Sequence, residues 1–252
     1  MMTKAQWIAF LEESAADDLK WAAIHHDNSN WEGALGNWGQ AAEHRFERAL
    51  LGWRTGLLHP EPDLRATLEV SERAVSFLEA TDVGPLRARF DPVPGAYSAI
   101  MLDRPESPVV VEARRYATWP PPRGLTPDRP LDAWLLGDLA GEGPGQGVDA
   151  AGSVTRGRTS LLGETFTTYF DLIAIERSDD LPASELTRRA LALFARRRRD
   201  EYYSGGVAYE GGGPDNDAVI DYRLATIWHV RGWDASGLTP EERLHVQLPS
   251  RP

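Results

Sequence analysis

Six histidines, His25, His26, His44, His59, His229 and His245, are the side chains best suited to proton transfer near neutral pH. No pair is spaced four apart around a glutamate, the pattern that sets two metal ligands on one helix face. His25, His26 and Asp27 fall at a predicted helix end, where the helix dipole favours imidazole, and His44 follows Glu43 on a predominantly polar face. The carboxylate pairs Asp17-Asp18, Asp179-Asp180 and Glu241-Glu242 are sequence neighbours, so on a helix they point about 100° apart. They suit caps and solvated faces better than one cleft. No serine lies in Gly-X-Ser-X-Gly or Ser-X-X-Lys, the settings of an activated hydroxyl. The chain has no cysteine, which removes thiolate nucleophiles, disulfides and cysteine-ligated metals.

Two loops invite a ligand. Gly141-Glu142-Gly143-Pro144-Gly145-Gln146-Gly147 is glycine-rich, yet no lysine follows Lys20, so the Walker arrangement is missing. The acidic stretch Tyr209, Glu210, Asp215, Asp217 and Asp221 resembles half a calcium loop without the spacing or terminal glutamate of an EF-hand. Its carboxylates either cap the following helix or face a basic partner, and one residue can do both. No metal or cofactor is expected. Arg196-Arg197-Arg198-Arg199 is the one basic run, and at a helix C-terminus it complements the dipole.

Charge argues in the same direction. The formal net charge is −11 over 252 residues. Basic side chains number 7 against 13 acidic in residues 1–80, 9 against 10 in 81–160 and 11 against 15 in 161–252. Every third is acidic, which sets the field against phosphate contacts and excludes direct nucleic-acid binding. No apolar run is long enough to cross a membrane, and acids at Glu12, Glu13, Asp17 and Asp18 interrupt the N-terminal apolar stretch, unlike a signal peptide. Cytoplasmic residence is expected. Nine tryptophans are available for core or interface. Trp38, Trp53 and Trp228 fall on apolar stripes, whereas Trp31 and Trp119 fall beside turn residues and are candidate partner anchors.

The elements that must position these residues are predicted to be mainly α-helical. Leu35, Trp38, Ala42, Phe46, Ala49, Trp53 and Leu57 recur every three or four residues, one buried helix face. A less regular helix, Thr3 to about His26, precedes it, and Leu64, Leu68, Ser71, Val75 and Leu78 mark a third from about Pro62 to Ala80. Short connections imply antiparallel neighbours. The middle of the chain is rich in proline and glycine; Tyr97–Leu102 and Val109–Val111 are too brief to separate strand from helix, and a helix beginning at Thr126–Arg129 leads into the glycine-rich Gly137–Gly157. Helices return at Ser160–Arg177, from Ser184, and up to about Arg231. Thr239-Pro240-Glu241-Glu242 is a capping-box start. The expected fold is a helical bundle in two halves, 1–83 and 160–252, joined by a Pro/Gly-rich segment, 84–159, that can hold short strands.

The block Asp200-Glu201-Tyr202-Tyr203, a glycine-rich turn, and Asp221 through Asp234 (DYRLATIWHVRGWD) resembles the closing region of all-helical bacterial immunity proteins of polymorphic toxins. The group in view is the immunity proteins of PoNe-type DNase effectors, and the likeness covers about a seventh of the chain. The resemblance implies a non-enzymatic, cofactor-free antitoxin that binds a cognate toxin domain and blocks its active site. Tyr209, Glu210, Asp215, Asp217, Asp221 and Trp31 are its expected contact residues. An enzyme with a cleft between the halves, drawing on His25, His44, Asp171 and His229, is the competing reading. A non-catalytic adaptor bundle is the third.

Overall fold

Thr3 starts the first helix: its hydroxyl accepts from the Gln6 N–H at 3.2 Å while the Gln6 side chain accepts from the Thr3 N–H at 2.8 Å. This reciprocal cap satisfies two donors that a helix start otherwise leaves open. In the computed structural model, which describes residues 3–81, 84–118, 129–141, 181–182, 184–192 and 222–247, the chain is mainly α-helical, with no strand among those residues. The helices are α1 (Lys4–Asp27), α2 (Trp31–Thr55), α3 (Glu61–Ala80), α4 (Val93–Met101), α5 (Pro108–Thr118), α6 (Arg129–Leu139), α7 (Tyr222–Arg231) and α8 (Pro240–Val246). A 3₁₀ turn spans Gly84–Arg89, and residues 184–192 are also helical. No described helix is long and apolar enough to cross a membrane.

The stripes on α2 and α3 are buried where their periodicity predicts, Leu35, Trp38, Ala42, Phe46, Ala49 and Trp53 on one and Leu64, Leu68, Ser71, Val75 and Leu78 on the other. Leu57, expected on the first, instead lies past the cap that ends α2 and is exposed. Helix α2 stops at Gly56, whose φ of 67° is the left-handed cap conformation that favours glycine. Tyr97–Met101 and Val109–Val111 lie in helices α4 and α5. Proline begins both segments, at the helix start where its missing N–H costs nothing. Two boundaries differ from expectation. Trp31 opens α2, because Asn30 caps it through the Gly33 N–H at 3.1 Å, so the turn is shorter than its run of turn residues suggests. Gly137 lies within α6, so the glycine-rich loop does not begin there. The predicted helix over Ser160–Arg177, and Thr126–Asp128, lie outside the described residues.

One contiguous cluster of buried side chains gathers α1 through α6, the 184–192 helix, α7 and α8, including Ala22, Trp38, Tyr97, Leu135, Leu186, Trp228 and Val246. The Pro-rich middle therefore contributes helices to the core rather than only joining two others. Helices α3 and α4 approach tightly at Gly95: a Cβ there would overlap the Ser71 side chain and come within 2.9 Å of Val109. Glycine is what lets these helices meet. The residue after α8 is tied to α2 by Trp53, whose indole N–H donates to the Gln247 carbonyl at 3.0 Å.

Candidate partner-binding site

Trp31 is held where α1 turns into α2. The Asn30 amide that caps α2 also reaches the His25 ring, with 3.0 Å between Nδ2 and Nδ1, which knots the end of α1 to the start of α2. The Trp31 ring then packs edge-on to His26 at 5.5 Å between centroids and beside Phe77 of α3 at 5.3 Å. Trp38 lies beneath, 5.6 Å from Phe77, with the Arg73 guanidinium over its ring at 5.1 Å. Such ring contacts contribute about 0.5–1.5 kcal/mol each beyond area burial. Trp31 is therefore half-buried and joins three helices, rather than standing free on a loop. Tyr209, Glu210, Asp215, Asp217, Asp221 and Trp119 lie outside the described residues.

The histidines of the competing reading have separate partners. His25 meets Asn30, His44 Nδ1 lies 3.0 Å from Asp18 Oδ2, and His229 Nε2 lies 3.3 Å from Asp103 Oδ1. Asp171 lies outside the described residues, and among those residues no three His, Asp or Glu side chains converge as metal ligands. Burial pushes the Asp18 carboxyl above its ordinary value, and His44 offsets part of that rise.

Buried carboxylates are closed by arginine. Arg48 donates to both oxygens of Asp63 at 2.6 and 2.8 Å and reaches Glu12 at 2.9 Å, tying α2 to α3 and α1. Arg87 in the 3₁₀ turn holds Glu112 of α5 at 2.6 Å. Asp132 of α6 accepts from Arg223 of α7 at 2.6 and 2.8 Å and from the Tyr97 hydroxyl of α4 at 2.7 Å. Tyr97 is fully buried, and burial first, then the Asp132 charge, push its hydroxyl well above the ordinary tyrosine range. These pairs lie between helices and satisfy each other's charge, the condition under which buried ions are tolerated. Their geometry suits pinning helices together.

The outer face of α1 is different. Its buried stripe is Ile8, Leu11, Ala15 and Ala22. Phe10, Trp21 and Ile24, exposed at 43%, 52% and 38%, form a second line roughly 120° away around the helix. Trp7 stacks on Phe10 at 5.1 Å and His25 lies 6.1 Å from the Trp21 ring, extending the line in both directions. Glu13 and Asp17 are exposed along it, with Lys20 one turn beyond. Large exposed aromatics aligned on one helix face are unusual for a surface with no partner. Trp21 escaped the sequence reading, although the spacing 7, 10, 14, 17, 21, 24 is itself helical. No family model, curated protein or solved structure matches the chain.

Proposed function

We propose that the protein is an immunity-type antitoxin: it acts in the cytoplasm, binds one cognate toxin domain and blocks its active site. The toxin in this reading is a basic nuclease effector. The observation that supports it best is the outer face of α1, where Phe10, Trp21 and Ile24 are exposed beside Glu13 and Asp17 on a chain of net charge −11. Exposed aromatic anchors supply contact energy, and an acidic field speeds encounter with a cationic surface. The likeness of residues 200–234 to immunity proteins points the same way.

The deciding experiment is co-expression in bacteria with the toxin-like domain encoded beside this gene. Restored growth and a copurifying complex are expected. Growth arrest with no complex, at matched expression, rejects the antitoxin reading.

A further inference from the structure

We propose that the outer face of α1 seats a cationic amphipathic helix of the toxin, with Phe10, Trp21 and Ile24 as anchors and Asp17 as the charge that orients it. This rests on the antitoxin reading and adds the contact surface and the chemistry of the segment that occupies it. From Phe10 to Ile24 the face runs fourteen residues, about 21 Å at 1.5 Å per residue, the length of a four-turn helix. The apolar side chains stand as two pairs, each spaced three residues, Trp7 with Phe10 and Trp21 with Ile24, with Ser14 and Asp17 between them on the same face. An incoming helix therefore meets an apolar anchor at each end and a polar middle.

Charge selects the occupant. Asp17 lies on the apolar line between Phe10 and Trp21, is exposed, and enters no ion pair among the described residues. A segment covering the anchors must also cover this carboxylate, and desolvating it without a counter-charge is unfavourable. A basic side chain set within the apolar face of the incoming helix satisfies it. A second copy of this chain does not. In the antiparallel register that places Phe10 on the partner copy's Trp21, the two Asp17 side chains are offset by only three residues, about 4.5 Å along the axis. Like charges would then enter one seam. An anionic membrane is disfavoured for the same reason, because Glu13 and Asp17 face it.

The test measures binding of the neighbouring-gene toxin domain, inactivated at its active site, by calorimetry at two salt concentrations. A Leu/Arg amphipathic peptide long enough to span Phe10 to Ile24 serves as a defined second probe, with its Leu/Glu counterpart as control. Phe10→Ser and Trp21→Ser should each weaken the toxin complex by about tenfold or more. Asp17→Lys should weaken it and flatten its salt dependence, and the Leu/Arg peptide should bind where the Leu/Glu peptide does not. Leu57→Ser, which removes an equally exposed apolar side chain elsewhere, should leave binding unchanged. Circular dichroism of each variant confirms the fold. A complex of unchanged affinity in all three α1 variants overturns this surface while leaving the antitoxin reading standing. Loss of a dimer on Trp21→Ser, seen by sedimentation, assigns the face to a second copy and overturns it too. A wild-type protein that binds no toxin sinks both.

Discussion

Replacing Arg223 by Met should cost about 3–5 kcal/mol, because it strips two charge-assisted hydrogen bonds from a carboxylate that has nowhere to find water. Asp132 is 3% exposed, Arg223 is 4% exposed, and the guanidinium supplies two of the three donors identified at Asp132. At about 1.5–3 kcal/mol for each bond to a charged group, the two losses sum to roughly the same range. Against a total stability on the order of 5–15 kcal/mol, that change leaves a marginal fold. At roughly 2–4 °C per kcal/mol for a chain of this size, the midpoint should fall by about 6–20 °C. The matching change Asp132→Leu should also destabilise, since it takes the shared acceptor from the buried Arg223 guanidinium and the Tyr97 hydroxyl together. Removing all three polar groups at once, in Tyr97→Phe, Asp132→Leu, Arg223→Met, should be milder than either charged single. Asp132 and Arg223 are then removed together rather than one without the other, and apolar side chains of similar volume fill the space. Urea unfolding followed by circular dichroism, with calorimetric midpoints, gives each value. A triple variant that loses the sum of its parts, or a single Arg223→Met that loses under about 1 kcal/mol, refutes the claim that this network acts as one unit.

Alkaline solution tests the same place. The hydroxyl of Tyr97 stays protonated in the fold beyond the ordinary tyrosine value near 10, so as pH rises above about 10 the unfolded chain ionises first and stability falls. Tyr97→Phe should lower stability at pH 8 and flatten the decline from 10 to 11; an unchanged slope would assign that decline elsewhere. At Asp18 the raised carboxyl means the fold favours its neutral form, an advantage complete below about 4 and lost as pH rises through the folded value. Asp18→Asn should therefore match or exceed wild type in midpoint at pH 7, with any gain vanishing near pH 3.5; a deficit at pH 7 contradicts it. Gly95→Ala should destabilise by about 1–3 kcal/mol through overlap with Ser71, and Ser71→Gly in the same chain should recover part of the loss. Equal stabilities of Gly95→Ala and wild type in urea would show that α3 and α4 are not in close contact there.

Much of the helical frame can be read without coordinates. Helices α2 and α3 carry one apolar stripe each, so their periodicity is clean, and Trp38, Trp53 and Trp228 are buried as that pattern requires. The Thr239 capping box is present, with both reciprocal hydrogen bonds to Glu242. Helix α1 reads poorly because it has two apolar faces: Ile8, Leu11, Ala15 and Ala22 turned inward, Phe10, Trp21 and Ile24 turned outward. A single period sums the two and finds little order. Tyr97–Leu102 and Val109–Val111 are too short to complete the turns that separate a period of 3.6 from one of 2. Trp31 was legible as a special residue, but its degree of exposure depends on Phe77, 46 positions away, which no local pattern reports.

Composition and periodicity alone determined that this is an acidic, cysteine-free helical protein, where its main stripes and several caps lie, and that its charge opposes phosphate. Those properties are additive or local, set by each residue and its neighbours within a turn or two. Only the tertiary structure decided which charges cancel. Arg48 finds Asp63 across 15 residues and Arg223 finds Asp132 across 91, and both carboxylates are thereby committed to holding helices together. It also decided which side of α1 is left uncovered. Burial is a property of two surfaces meeting, and a sequence describes only one of them at a time.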